Sequence, residues 1–314
     1  MKDSFDVVTF GEAMIMFIAE EEKTLDKVGY FSKGVAGAEL NVATGIARLG
    51  FNVSWMSRIG DDSFGRSILN YLNKESINSD FVKVDNNHRT GFQLKSKLKN
   101  INGDPEVEYF RKGSAASYLS VSDLDKVVNT KFLHITGIAP ALSDSCFEVA
   151  EYLIERVRSE SGVISFDPNL RPVLWKNENL MREKINYLAS KADIVLPGIN
   201  EGKILTGYDS SKDIADFYLK NGAKKVIIKL GSKGAYFRDL IGNEGVVPGL
   251  KVENIVDTVG AGDAFAVGVI SALLENKTLE QAAKRGNFFG ALAIQFPGDN
   301  DGLPNREQLS QYDI

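Results

Sequence analysis

The sequence predicts an α/β fold: a central, mostly parallel sheet flanked by helices, with a small β-sheet lid. Three observations carry this reading. Compact apolar runs rich in β-formers alternate with amphipathic segments along most of the 314 residues, which is the signature of repeated βα units. The runs are apolar throughout, as expected of parallel strands covered on both faces. Two stretches, residues 14–31 and 89–111, break the rhythm, because they have strand-like alternation but neither leads into a helix of its own.

Taken in order, "DVVTF" (residues 6–10) reads as a buried strand ending at Gly11. "AELNVATGIARLG" (38–50) has apolar residues at helical spacing and a glycine stop. "NVSWMSRIG" is strand-like and "SFGRSILNYLNKE" helical. "KFLHITG", "GVISFDPN", "ADIVLPG" and "KVIIKLG" are four further strands, each preceded by a helical stretch such as residues 143–158. "KVENIVDTV" reads as a last strand and "AFAVGVISALLE" as a helix with a buried face. The exceptional stretches, typified by "TGFQLKSKL" and "EVEYFRK", form either a separate antiparallel sheet or edge hairpins of the main one. A separate sheet would close as a lid over ligands at the strands' C-terminal ends. No repeat or linker divides the chain, so residues 1–314 are expected to form one domain.

Composition narrows the function. The chain is 43% hydrophobic and 25% charged, ordinary for a protein with a substantial core. A net charge of −5 argues against a nucleic-acid partner, which needs a concentrated basic surface. The lone Cys146 cannot form an intramolecular disulfide, which fits a reducing, cytoplasmic setting. Acids before the first apolar run argue against a secretory signal, and the apolar stretch 264–274 is too short to cross a bilayer. His88 and His134 have no metal-ligand spacing.

The most informative stretch is "DTVGAGDAF" (257–265). Gly260, Ala261 and Gly262 open a helix, so their N–H groups and the helix dipole favour an anion. The loop resembles half a dinucleotide fingerprint, but Phe265 stands where a third small residue belongs and Asp263 would repel a pyrophosphate. Two readings of Asp263 remain. It neutralises the helix N-terminus, worth about 0.3–1 kcal/mol, or it faces a substrate hydroxyl while the N–H groups receive charge on a transferring phosphoryl group. "GINEGKIL" is a false P-loop: it has three residues between its glycines, and Ile204 replaces the Ser/Thr.

"DTVGAGDAF" resembles the C-terminal signature of ribokinase-type sugar kinases of the phosphofructokinase-B family. "GAELNVATGIARLG" with "RIGDDSFG" resembles its N-terminal signature, about 220 residues earlier. Within that family, "EYFRKGSAAS", "HITGIAPALS", "SFDPNLRPVLW" and "PGDNDGLP" are similar to 2-keto-3-deoxygluconate kinases more than to fructokinases or ribokinases. The resemblance implies a ribokinase-like fold and transfer of the ATP γ-phosphoryl group to the C6 hydroxyl of a keto acid. A neutral-sugar kinase such as a fructokinase, and a sugar-acid-binding protein without catalysis, are the alternatives.

The resemblance also implies roles. Asp263 is the catalytic base, and Gly260, Ala261 and Gly262 form the anion hole. Gly37, Gln93, Tyr109, Arg111, Arg171 and Asp299 contact the sugar acid. Gln93 stands where related enzymes often carry tyrosine, which puts its contact in question. Arginine suits a carboxylate because its planar fork donates two hydrogen bonds; a capping Arg171 and a solvated Arg111 are the plain alternatives. Glu12 and Asp61, acids near strand ends, read as surface or capping residues. For ATP, the resemblance implies Gly198, then Lys229, Gly231 and Gly234 in "KLGSKGA", then Gly260, Ala261, Gly262 and Asp263 in the turn, with Asn287 near the adenosine. Gly198 replaces the family's usual asparagine, and Glu201 is left to organise Mg²⁺ through water. The resemblance leaves room for a monovalent cation near the turn at 257–259. Exposed lid edges suggest a homo-oligomer, taken as a dimer.

Overall fold

The structure, a computed structural model, describes residues 4–99, 105–124 and 129–312. In chain order the strands are β1 (Phe5–Phe10), β2 (Met14–Ala19), β3 (Phe31–Ala36), β4 (Val53–Gly60), β5 (Val82–Asp85), β6 (Phe92–Lys99), β7 (Pro105–Phe110), β8 (Thr130–Thr136), β9 (Val163–Asp167), β10 (Ile194–Val195), β11 (Lys225–Lys229), β12 (Ala235–Asp239) and β13 (Glu244–Val247). The helices are α1 (Ala38–Arg48), α2 (Ser63–Lys74), α3 (Asp144–Ser159), α4 (Glu178–Ser190), α5 (Ile199–Thr206), α6 (Ser211–Lys220), α7 (Ala261–Leu274), α8 (Leu279–Ala293) and α9 (Arg306–Ser310).

Nine strands form the main sheet in the order β13-β12-β11-β10-β9-β8-β1-β4-β5. It is parallel from β5 to β11 and antiparallel only at β11–β12 and β12–β13. Consecutive side chains of each strand enter opposite cores, as the pleat requires. Val7, Trp55 and Ile227 join the core under α1, α2, α7 and α8; Val8, Met56 and Ile228 join the one under α3 to α6. The apolar runs are therefore buried on both faces, as the sequence predicts.

Helix boundaries follow local chemistry. Asp62, Ser143 and Asn177 accept N–H bonds from the first turns of α2, α3 and α4. Helix α7 is apolar all round and buried from Asp263 to Ala272, the mark of a core helix. Among the described residues, no helix is long and apolar enough to cross a membrane.

A second sheet has the order β3-β2-β6-β7. It draws on the two stretches that break the βα rhythm, and β3 extends past residue 31; residues 100–104 of the second stretch lie outside those described. The antiparallel pairing expected of this sheet holds at β2–β3 and β6–β7 but fails at β2–β6, which is parallel because a long crossover rather than a hairpin joins those strands. A second expectation also fails. "KVENIVDTV" is not a strand: residues 248–258 are irregular, held at one end by the Asn287 side chain of α8 on the Pro248 carbonyl and at the other by Val256 and Asp257 N–H bonds to the carbonyl of Ile294, just past α8. Val252 and Ile255 are apolar because they line a cavity, not because they enter a sheet. Gly260 to Gly262 thus sit at a loop-to-helix turn.

Candidate active site

The chain leaves β1 for β4 on one side and returns to β8 on the other, so the strand order reverses at β1. In open α/β sheets, ligands bind beyond the strands' C-terminal ends at such a point. A cavity of about 460 Å³ lies there, and a second of about 660 Å³ lies beyond the end of β11; Lys229, Thr258 and Gly262 line both.

The loop at their junction is fixed by sterics. Gly260 has φ +82°, and a Cβ there would lie 2.4 Å from the Asp299 carbonyl oxygen; only glycine fits. The Ala261 N–H turns back toward the Thr258 carbonyl at 3.4 Å. As first-turn residues, Gly262 and Asp263 have no N–H acceptor within the helix. The Asp263 carboxylate is buried. Its Oδ2 accepts from Asn41 Nδ2 at 2.8 Å and its Oδ1 from Asn169 Nδ2 at 3.3 Å. Burial pushes the carboxyl up to about 7, against the pull of the Asn41 bond; Asp167 and Asp299 add to the rise and Arg171 opposes it.

The smaller cavity collects Gly37, Gln93, Tyr109, Arg111, Arg171, Glu201, Gly260, Asp263 and Asp299. Gly37, at φ +151°, opens α1 and packs against the backbone of Glu12, so its glycine is required by the fold itself. Glu12 is not a surface residue. It is buried, lines this cavity, accepts from Arg111 Nε at 2.6 Å and also binds the Ser114 hydroxyl. Arg111 is therefore not a solvated lid residue, because its charge is matched by Glu12. Arg171 donates only to carbonyl oxygens of its own turn, Leu170 at 2.9 Å and Asn169 at 3.5 Å. Among the described residues it makes no ion pair, so its charge is left to the cavity. Asp61 is exposed, pairs with Arg66 and lines neither cavity.

The larger cavity holds Lys229, Gly231, Gly234, Ala261, Gly262 and Asn287, with apolar walls from Leu250, Val252, Ile255, Phe265 and Ile294. "KLGSKGA" is a hairpin turn between β11 and β12 as well as cavity wall. Asn287 donates to the Val247 and Pro248 carbonyls, both at 3.2 Å. Gly198 lines neither cavity. Its N–H caps α5 by donating to Glu201 Oε2 at 2.6 Å, while Glu201 Oε1 accepts from Leu170 N–H at 2.8 Å.

Several site residues are assigned no role in the sequence reading. Asp167 is buried and accepts from Lys229 Nζ, already assigned to ATP, at 2.6 Å; burial pushes the carboxyl to about 6 against the lysine's pull. Asn41 and Asn169 hold Asp263. Glu39 lines the smaller cavity, bonds Thr136, and is pushed by burial to about 7. In "AELNVATGIARLG" Asn41 is one of three buried polar residues, with Glu39 and Thr44, so no local signal sets it apart. Lys95, discussed below, gives none.

The sequence matches the pfkB family carbohydrate kinases over residues 4–306. It is 49% identical to the 2-dehydro-3-deoxygluconokinase of Bacillus subtilis (strain 168), over 98% of this chain and 95% of that one. Fructokinase-1 of Oryza sativa subsp. japonica is 31% identical over 96% of each chain. The fold superposes on a PfkB protein from Polaromonas sp. JS666 with a TM-score of 0.90, at 45% identity over 98% of this chain and all of that one. It also superposes on a fructokinase double mutant from Vibrio cholerae O395 with fructose, ADP and potassium bound (TM-score 0.86, 28% identity, 99% of each chain). An E. coli neighbour at TM-score 0.88 and 25% identity, over 98% of each chain, holds ATP and Mg²⁺. Fold, paired cavities and both loop signatures converge with this match over nearly the whole length: the chain belongs to the pfkB family of carbohydrate kinases.

Proposed function

We propose that the protein transfers the γ-phosphoryl group of ATP to the C6 hydroxyl of 2-keto-3-deoxygluconate, giving 2-keto-3-deoxy-6-phosphogluconate. The observation that carries this is the place of Asp263: a buried carboxylate at the junction of two cavities, beside helix N–H groups and the Lys229 ammonium. The apolar-walled cavity suits an adenine and the polar one a sugar acid. A hydroxyl entering from the smaller cavity meets Asp263, whose pKa near neutrality suits a group that accepts a proton during transfer. Asn41 and Asn169 fix its orientation. The N–H groups at the start of α7 and Lys229 face the charge of the transferring group. The loose transition state of most phosphoryl transfers makes this placement count for more than basicity.

Mg²⁺ on the ATP phosphates would bridge their oxygens and neutralise charge. Among the described residues no three metal-ligating side chains converge, which suits an ion that arrives on the nucleotide and keeps its waters. Glu201 lines the smaller cavity with both carboxylate oxygens engaged by backbone N–H groups, and we assign it a part through water.

Arg171 is the charge we assign to the substrate carboxylate, with Arg111, held by Glu12, shaping the same end. Gln93 and Tyr109 bring the second sheet over the substrate, which is the basis for reading that sheet as a lid within one domain. Its outer edges, β3 and β7, are where we place a dimer contact. A cytoplasmic protein supplied with ATP follows from the same reading.

An ATP-consumption screen over 2-keto-3-deoxygluconate, its galactonate epimer, fructose and ribose tests this. Keto-acid turnover is expected. Preference for fructose would replace the sugar-acid reading, and ligand binding with no turnover on any acceptor would replace the kinase reading.

A further inference from the structure

We infer that the Lys95 ammonium takes the place of a monovalent cation beneath the anion-binding turn, so that turnover needs no potassium. The inference rests on the kinase reading and concerns Lys95, which borders the smaller cavity but is given no role in that reading. Two acids are buried behind the turn, Asp257 and Asp299. Asp257 opens the turn, and its Oδ1 accepts the Val259 N–H at 3.0 Å. The backbone of Asp299 packs against Gly260. Side by side and away from water, two carboxylates repel unless a cation joins them.

Lys95 supplies that cation from β6 of the second sheet. It is 2% exposed. Its Nζ pairs with Asp257 Oδ2 and donates to Asp299 Oδ1 at 2.9 Å and the Pro297 carbonyl at 3.1 Å. An ammonium has three N–H donors, and three oxygens receive them. Burial works against the charge, but Asp299 and Asp257 outweigh it and hold Lys95 above the ordinary lysine value. A potassium ion at the turn would need the same oxygens and would meet the ammonium at contact range, where like charges repel strongly. The residues present do not fit a second cation there. Lys95 is thus a positioning residue. It sets the turn that carries Gly260 and Asp263, and it clamps the second sheet to that turn.

The test compares chloride salts of potassium, sodium and tetramethylammonium at matched ionic strength. For the wild type, melting temperature and kcat should be the same in all three, within about twofold for kcat. Lys95→Ala should lose about tenfold or more in tetramethylammonium, since two buried acids lose their partner. Potassium should raise both its melting temperature and its kcat, while Lys95→Met, which fills the space without charge, should gain nothing. A wild type activated or stabilised by potassium over tetramethylammonium overturns the inference. So does a folded Lys95→Ala with wild-type turnover in tetramethylammonium. If that variant does not fold, the wild-type series still decides. Failure of the kinase reading shows separately, as no turnover with any acceptor, and leaves the melting measurements interpretable.

Discussion

Asp263→Asn should make the protein more stable at pH 8 while abolishing turnover. The native carboxyl sits at about 7 rather than 3.8, chiefly through burial. A rise of about three pH units at about 1.36 kcal/mol each puts the native charge at a cost of roughly 4 kcal/mol. The sign follows from proton binding. Between the unfolded value and about 7 the native state keeps a proton that the unfolded chain has lost, so stability falls as pH rises through that window. Below the unfolded value both states are protonated, and above about 7 the loss is complete. Asparagine carries no such charge. It keeps an oxygen for the Asn41 amide, but its own NH₂ opposes the Asn169 amide, which lies 3.3 Å from Oδ1. One lost hydrogen bond of about 1 kcal/mol, together with relaxation around the native charge, leaves an expected gain of about 2 kcal/mol at pH 8 and little or none at pH 4. Glu39 and Asp167 also titrate in this window, but they are present in both proteins and largely cancel. Urea unfolding of both proteins from pH 4 to 8 gives the difference directly. A difference that does not grow with pH would show that Asp263 does not ionise from a raised value, and the proposed base would lose its physical basis.

Wild-type kcat/KM should fall about fivefold from pH 7 to pH 6 and approach unit slope below that, because protonated Asp263 cannot accept the hydroxyl proton; a flat profile would leave Asp263 an orienting role only. Arg171→Ala should lower kcat/KM for the keto acid by roughly 10- to 100-fold, the range for a charge-assisted hydrogen bond, with less than about threefold change on fructose. Equal losses in steady-state assays would remove Arg171 from the carboxylate. Gly37→Ala should cost about 2 kcal/mol or more in chemical denaturation, because φ is +151° and the added Cβ would lie 2.4 Å from the Glu12 carbonyl oxygen. A variant with unchanged stability would mean that α1 can re-enter at another angle.

What was legible in the sequence was local. The βα rhythm shows because strands buried on both faces must be apolar along their length. "DTVGAGDAF" shows because a helix N-terminus, a glycine at positive φ and a carboxylate are all written within nine residues. The misread strand at 251–259 has the same origin as the correct ones, since periodicity reports burial and not what does the burying. Val252 and Ile255 are apolar toward a cavity, and no single-sequence pattern separates that from a sheet.

The charge network was not legible, for a different reason. Lys95 meets Asp299 from 204 positions away, and Arg111 meets Glu12 from 99. These pairings decide how the site's cations are used. Arg111 and Arg171 are equivalent candidates in sequence, and both line one cavity. Glu12 neutralises one of them, whereas among the described residues Arg171 makes no ion pair and only Asp263 acts on it at longer range, so under the proposed reading a substrate carboxylate is met by Arg171. Lys95 and Lys229 divide the turn in the same way. Lys95 lines the smaller cavity but is engaged by two acids, Asp257 and Asp299. Lys229 is matched by Asp167 but lines both cavities, so its ammonium can meet a phosphoryl group from either side. One buried cation holds the turn and the other faces the reacting group, and that division arises only when the sheet, the second sheet and α7 are brought together.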